Sequence, residues 1–263
     1  MLRPIGNVVN RIFGQANYEK VANSWFHTKM RFNFTNDNVK YLRNIIDRGD
    51  FCLDIGANRG EITYYMSRLV GNSGKVISFE PVSKARTLLK DTIKTFNLNN
   101  VTVSSIALSD EVGKFDMFIP NLNGVACFAL ANLVKRDSES STSEGYYETV
   151  GVDTIDNIIG DISPTNFSFI KCDVEGHELA VFKGGEQTIE KYKPIVLVEI
   201  WASNHIIKDN IVTSELMELF KKYNYVAKFV HGDKLMDLDA ELIKANKIQD
   251  FLLIPKCKLG MFS

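Results

Sequence analysis

Phe51-Cys-Leu-Asp-Ile-Gly-Ala-Asn-Arg-Gly60 puts an acid, Asp54, at the end of an apolar run and a glycine turn at Gly56 directly after it. Gly60 then opens a helix-compatible stretch. A glycine turn between a strand and a helix lets a ligand lie against bare backbone. A second apolar run, Lys75-Val-Ile-Ser-Phe79, ends in Glu80-Pro81. An acid at that tip accepts hydrogen bonds from both hydroxyls of a ribose. Together these residues predict a nucleoside-cofactor site. Glu80 and Pro81 meet the ribose, and Asp54, Gly56, Asn58 and Gly60 surround the other end.

The glycine pattern selects the cofactor. A dinucleotide fingerprint needs G-x-G-x-x-G to seat a pyrophosphate on a helix N-terminus. Here the pattern is G-x-x-x-G with Asp54 before it. That carboxylate repels a pyrophosphate and suits a cation. S-adenosylmethionine carries a sulfonium and an ammonium, and attraction to them in a partly dry cleft is worth several kcal/mol at most. The expected cofactor is therefore S-adenosyl-L-methionine, with S-adenosyl-L-homocysteine as product. An NAD-dependent oxidoreductase is the enzymatic alternative, opposed by the missing third glycine and by Asp54. A non-enzymatic, methyltransferase-like binding protein is the other, opposed by the acids kept at the strand ends.

These residues need a sheet to hold them. Strand-like runs at 51–55, 75–79, 101–106, 167–172 and 194–200 alternate with helical patterns at 60–70, 82–96, 178–191 and 213–223. Runs at 225–230 and 250–254 finish the series. The alternation predicts an α/β fold: a doubly wound, mostly parallel, seven-stranded, Rossmann-like sheet over 51–263. Lys183-Gly-Gly-Glu186 predicts a break in the helix at 178–191. Alternating runs at Gly113–Ile119 and Tyr146–Val152 flank the polar stretch Lys135–Gly145, so an inserted β-hairpin is expected over about 113–152. Its serine-rich tip reads equally as a substrate lid or a plain surface excursion. Residues 1–50 read as an N-terminal helical cap, with apolar residues at helical spacing (Val8, Val9, Ile12, Phe13; Val39, Leu42, Ile45, Ile46). The aromatic residues Trp25, Phe26, Phe32 and Phe34 lie between, as packing or as substrate contacts.

In such sheets ligands bind at the carboxyl ends of the strands. The ends carry Asp54, Glu80, Ser109-Asp110, Asp173 and Glu199, which predicts one polar cleft. Phe169-Ile-Lys-Cys-Asp-Val-Glu-Gly-His-Glu178 gathers three acids and a histidine around Gly176. Such a cluster is costly unless solvated, hydrogen-bonded or paired. Lys171 shares a strand face with Asp173 and is expected to pair with it.

The chain resembles the FkbM-type methyltransferases over about 50–256. The matching residues are Asp54-Ile-Gly-Ala-Asn-Arg-Gly60, Phe79-Glu-Pro81, Ala107-Leu-Ser-Asp110 with Gly113, Lys171-Cys-Asp-Val-Glu-Gly-His-Glu178, Lys183-Gly184-Gly185, Val198-Glu199 and Asp250-Phe-Leu-Leu-Ile-Pro255. The resemblance implies a class I fold and S-adenosylmethionine-dependent O-methylation of a hydroxyl, on a sugar, glycolipid or related metabolite. By analogy with the fold, Ser109 and Asp110 lie near the adenine. Residues 1–50 and 120–145 match no motif, and substrate choice is expected there.

A sugar hydroxyl is a weak nucleophile and benefits from a base. The candidates are Asp173, Glu175, His177, Glu199 and His205, with Asp173 also within reach of the cofactor. Glu178 caps the following helix or joins the cluster. Trp201 stacks on a ring or packs under its loop. A divalent cation on Asp173, Glu175, Glu199 and Asn204 is an open alternative; no spacing requires it, and no metal is predicted.

Composition excludes other classes. The formal net charge of −1 over 263 residues gives no basic excess for nucleic acid. Four scattered cysteines without a C-x-x-C read as buried reduced thiols. No apolar run is long enough for a membrane span and the N-terminus has no apolar signal core, so a cytoplasmic location is expected, with peripheral membrane contact left open.

Overall fold

The computed structural model describes residues 15–32, 38–122, 125–134, 144–200, 206–208, 211–231, 234–238 and 250–262. The chain divides into two compact units, Met1–Val39 and Lys40–Ser263. In the first, helix α1 spans Gln15–Arg31. Trp25 and Phe32 are exposed. The apolar residues of 1–14, and Phe34, lie outside the described residues. Helix α2, Asn38–Ile45, follows.

The large sheet is built as the apolar runs require. Strand β1 (Phe51–Ile55) is buried at every position. β2 (Lys75–Phe79) is buried at all but its first. Strands covered on both faces read as continuous apolar runs, which is why these two are plain in the sequence. With β3 (Val101–Ser104), β9 (Phe167–Cys172) and β10 (Ile195–Glu199) they pair in parallel, in the order β3-β2-β1-β9-β10. After a separate antiparallel pair, β11 (Ile206–Lys208) and β12 (Ile211–Thr213), β13 (Tyr225–His231) and β15 (Asp250–Pro255) add to the large sheet antiparallel. The order reverses between β1 and β9, where a doubly wound sheet opens its ligand crevice.

Among the described residues the sheet has eight strands, one more than the sequence predicts. The addition is β14 (Lys234–Met236), a three-residue edge strand paired with β13 and too short to show a pattern. The strand expected over 101–106 stops at Ser104, because Ser104 Oγ accepts the Ile106 N–H at 3.2 Å and turns the chain away. Ala107–Leu108, β4, instead joins a second sheet. That sheet contains the expected hairpin, β5 (Gly113–Leu122) and β8 (Gly145–Asp153), paired from Gly113↔Val152 to Pro120↔Gly145. β6 (Val125–Ala126) and β7 (Asn132–Val134) complete it. Its inner face packs Met117, Ile119, Val150 and Val152 against Val82 and Ala85. The serine-rich tip lies outside the described residues.

Helix α3 (Glu61–Val70) starts from Gly60 and α4 (Ser83–Phe96) follows β2. The helix predicted over 178–191 is broken as expected, into α6 (Glu178–Lys183) and α7 (Glu186–Tyr192). A Cβ on Gly184 would stand 2.0 Å from the Ser109 carbonyl oxygen, so the break lets this turn press against the Ser109 backbone. Between β8 and β9, α5 (Ile155–Ile162) is capped by Thr154. α8 (Glu215–Lys222) is capped by buried Ser214, whose hydroxyl accepts the Met217 N–H, with acids in its first turn and lysines in its last. Ser214→Ala is expected to cost about 1 kcal/mol in chemical denaturation; an unchanged midpoint would show that the cap contributes nothing.

The cysteines are free, but only Cys52 and Cys172 are buried; Cys127 is half-buried and Cys257 exposed. The expectation of four buried thiols fails because Cys257 lies beyond β15, outside the core. Among the described residues no helix is long and apolar enough to cross a membrane.

Candidate active site at the β1–β9 switch

Gly56 sits where the sheet order reverses. Its φ is +73°, and a Cβ there would stand 1.9 Å from the Asp173 carbonyl oxygen. Only glycine lets the β1 turn and the β9 turn touch. The N–H groups of Gly56 and Ala57 both donate to Phe79 O at 3.0 Å, which ties the turn to β2 as well.

Asp54 lies beneath this turn, 1% exposed. It accepts a short hydrogen bond from Thr63 Oγ1, while its Oδ1 has no hydrogen-bond partner and lies 3.8 Å from Lys171 Nζ. Burial pushes its carboxyl up; Lys171 and Thr63 oppose that. Gly60 is also a support residue. Its φ is +86° and a Cβ would meet Leu89 Cδ1 at 2.6 Å, so it sets the contact between α3 and α4.

Glu80 follows β2. Its Oε2 accepts the Asn58 N–H at 2.7 Å and its Oε1 accepts the Val82 N–H at 2.9 Å. Burial raises its pKa to about 7 despite these bonds. The two N–H donors fix the carboxylate and leave each oxygen a second lone pair for a ligand hydroxyl. Asn58 holds φ +49°. Its Oδ1 is buried without a hydrogen-bond partner.

The Asp173–His177 turn closes the other side. Glu178 braces it from below: its Oε1 accepts the N–H of Val174 at 3.0 Å and of Gly176 at 3.1 Å. Of the two roles expected for Glu178, the structure gives a buried prop for the turn. Glu175 holds φ +58° and Gly176 φ +98°. A left-handed, non-glycine residue costs of order 1 kcal/mol or more, and such strain clusters at working sites. Burial first, then the charges of Asp173, Glu199 and Glu178, raise the Glu175 pKa to about 7. Glu199 is raised to about 7 in the same way, by burial and then Asp173, Asp250 and Glu178.

His177 is tied to Ser109. Ser109 Oγ lies 2.9 Å from His177 Nε2 and donates to Asp110 Oδ1 at 3.1 Å. Burial lowers the His177 pKa, opposed by Asp110 and Glu111.

One cavity brings together Gly56, Asn58, Glu80, Pro81, Asp173, Glu175 and His177. Ser109 and Asp110 face a neighbouring cavity, which shares His177 and Leu133 with the first. Glu199 lies beside Asp173 at the end of β10, off the cavity wall. Trp201, Asn204 and His205 lie outside the described residues. Among the described residues no group of three His, Cys, Asp or Glu is arranged to hold a metal ion. The sequence reading missed the apolar half of the wall: Val82 and Ile106, with Leu108, Met117 and Leu133 from the second sheet and Phe128 and Ala131 from the turn between β6 and β7. The alternation of the hairpin was visible, but not which face meets the cavity.

Glu175→Gly relieves the left-handed strain and one like charge, and leaves the Glu178 brace intact. It is expected to melt at or above the wild-type temperature; a lower melting temperature would show that the left-handed residue and its charge cost the fold nothing.

The profile of the methyltransferase FkbM domain matches residues 54–227. A probable cobalt-precorrin-6B C(15)-methyltransferase of Saccharolobus solfataricus is 42% identical over 59 residues, 22% of this chain and 30% of that protein. Among solved structures, the FkbM methyltransferase of Methylobacillus flagellatus aligns with a TM-score of 0.48 and 16% identity, over 82% of this chain and 50% of that one. The chain thus spans half the length of that protein or less of each of these two. Aeropyrum pernix fibrillarin, solved with S-adenosyl-L-methionine bound, aligns with a TM-score of 0.44 and 11% identity, over 82% of this chain and 72% of its own.

Proposed function

The chain belongs to the FkbM methyltransferase family, and on that premise we propose that it moves a methyl group from S-adenosylmethionine to a hydroxyl of a sugar, glycolipid or related metabolite. One observation carries the reading. A single cavity sets a doubly braced carboxylate, Glu80, on one wall and the strained carboxylate Glu175 on another, with Gly56 and Asn58 also in its lining.

The residues present fit the cofactor. The Asn58 Oδ1 is a buried acceptor in need of a donor, and an ammonium supplies one. Glu80 holds the two ribose hydroxyls. With the ribose on Glu80 and the amino-acid end at Gly56 and Asn58, the base falls to the apolar end of the cavity, among Ile106, Leu108, Met117 and Leu133. On this reading the adenine would lie beside the inserted sheet rather than at Ser109 and Asp110.

When bound, S-adenosylmethionine supplies a methyl group activated by its sulfonium. The remaining demands fall on the chain. The apolar wall excludes water, and the β1 and β9 turns hold the reactants in line. Glu175 takes the proton of the acceptor hydroxyl; a pKa of about 7 makes it a base that is partly ionised at neutral pH and strong enough to help. Asp173 and Glu199 help to raise that pKa.

The test is transfer of a deuterated methyl group to a panel of glycans and glycolipids. The expected product is a labelled methyl ether that survives alkaline hydrolysis. Label on nitrogen, on carbon or in an alkali-labile ester would contradict O-methylation of a hydroxyl.

A further inference from the structure

Lys171 stands on β9 in register with Asp54 on β1, and its side chain is almost wholly buried. Its Nζ lies 2.8 Å from Gly56 O, 3.5 Å from Ile55 O, 3.3 Å from Asp173 Oδ2 and 3.8 Å from Asp54 Oδ1. These partners belong to both turns of the cavity. Gly56 and Asp173 are wall residues, and the near-contact between them means that a shift in one moves the other. We propose that Lys171 is a positioning residue of the methyl-donor cavity: its ammonium clamps the β1 turn to the β9 turn and fixes the Gly56 carbonyl and the Asp173 carboxylate for the ligand.

The inference rests on the methyl-donor reading of the cavity and adds a residue that touches neither cofactor nor acceptor. A buried ammonium is costly, and well-packed apolar residues commonly replace buried ion pairs without loss of stability. Stability alone therefore gives no reason for a lysine here. Burial opposes its charge, but Asp173 and Asp54 outweigh that, so the ammonium stays protonated. It is also the positive charge set against the carboxylates that crowd this end of the sheet. Glu175 faces Asp173, Glu178 and Glu199; Glu199 faces Asp173, Glu178 and Asp250. In both cases Lys171 is the group that pulls the pKa down. Its loss raises both glutamates further, and the acid limb of methyl transfer moves to higher pH.

Lys171→Met alone strands Asp54 as an unpaired buried charge, a change large enough to unfold the chain whatever Lys171 does for the cavity. The informative pair is Asp54→Asn against Asp54→Asn/Lys171→Met, since neither leaves that charge behind. The two are expected to melt alike without ligand. The double variant is expected to bind S-adenosylhomocysteine about tenfold more weakly or worse by calorimetry, and to show the raised acid limb. Equal affinity and superimposable pH profiles would overturn the role of Lys171, whatever the melting temperatures. Failure of the wild type to bind S-adenosylhomocysteine would instead overturn the methyl-donor reading, and this inference with it.

Discussion

Gly56→Ala is expected to abolish cofactor binding and to lower stability by about 2–4 kcal/mol. Two causes add. Alanine at φ +73° is strained, and its Cβ would stand 1.9 Å from the Asp173 carbonyl oxygen. That oxygen is backbone, so relief requires the β1 and β9 turns to separate. Separation pulls on the Gly56 and Ala57 bonds to Phe79 O and on the Lys171 bond to Gly56 O. Gly176→Ala is the control: its φ is also positive, at +98°, but a Cβ there meets nothing within 4 Å. Only the conformational strain remains, and a smaller loss is expected. Chemical denaturation and calorimetry of both variants check the contrast. A Gly56→Ala variant with wild-type affinity would show that the contact between the turns does not shape the site.

Glu80→Ala is expected to weaken S-adenosylmethionine binding by about 1–3 kcal/mol, the usual worth of hydrogen bonds to a charged group. Glu80→Gln keeps the shape and isolates the charge. The sign of the pH effect follows from burial, which raises the Glu80 pKa from 4.5 to about 7. The folded protein then holds a proton that the unfolded chain releases. This group's contribution to stability is fully present below about pH 4.5 and is lost as pH rises through about 7. Binding runs the other way, because the ionised carboxylate is the better acceptor for ribose hydroxyls. Affinity should therefore rise between pH 6 and pH 8 in the wild type by more than in Glu80→Gln, since Glu175 and Glu199 ionise in the same range in both. Equal pH dependence in the two proteins would remove Glu80 from the ribose.

The sequence made some of this legible for a physical reason. β1, β2, β9, β10 and β15 are buried strands, and burial writes itself as an apolar run. Glu80 and Asp173 stand at the ends of such runs, so their meeting at one crevice could be read from topology. What lay deeper could not. Asp54 ends a run too, but Thr63 and Lys171 hold it beneath the turn, and strand-end position does not tell a wall from a floor. Ser109 lines the neighbouring cavity, and its backbone is met by Gly184, a contact between segments far apart in the chain. Met117 and Leu133 of the second sheet, and Phe128 of the turn between β6 and β7, line the cavity, and no local pattern encodes that placement.

The central claim is a methyl-donor cavity at the β1–β9 switch. Isothermal titration of the purified protein with S-adenosylmethionine, and separately with NAD⁺, tests it most directly. Micromolar binding of S-adenosylmethionine and none of NAD⁺ is the predicted result. Binding of NAD⁺ alone, or of neither, would contradict it.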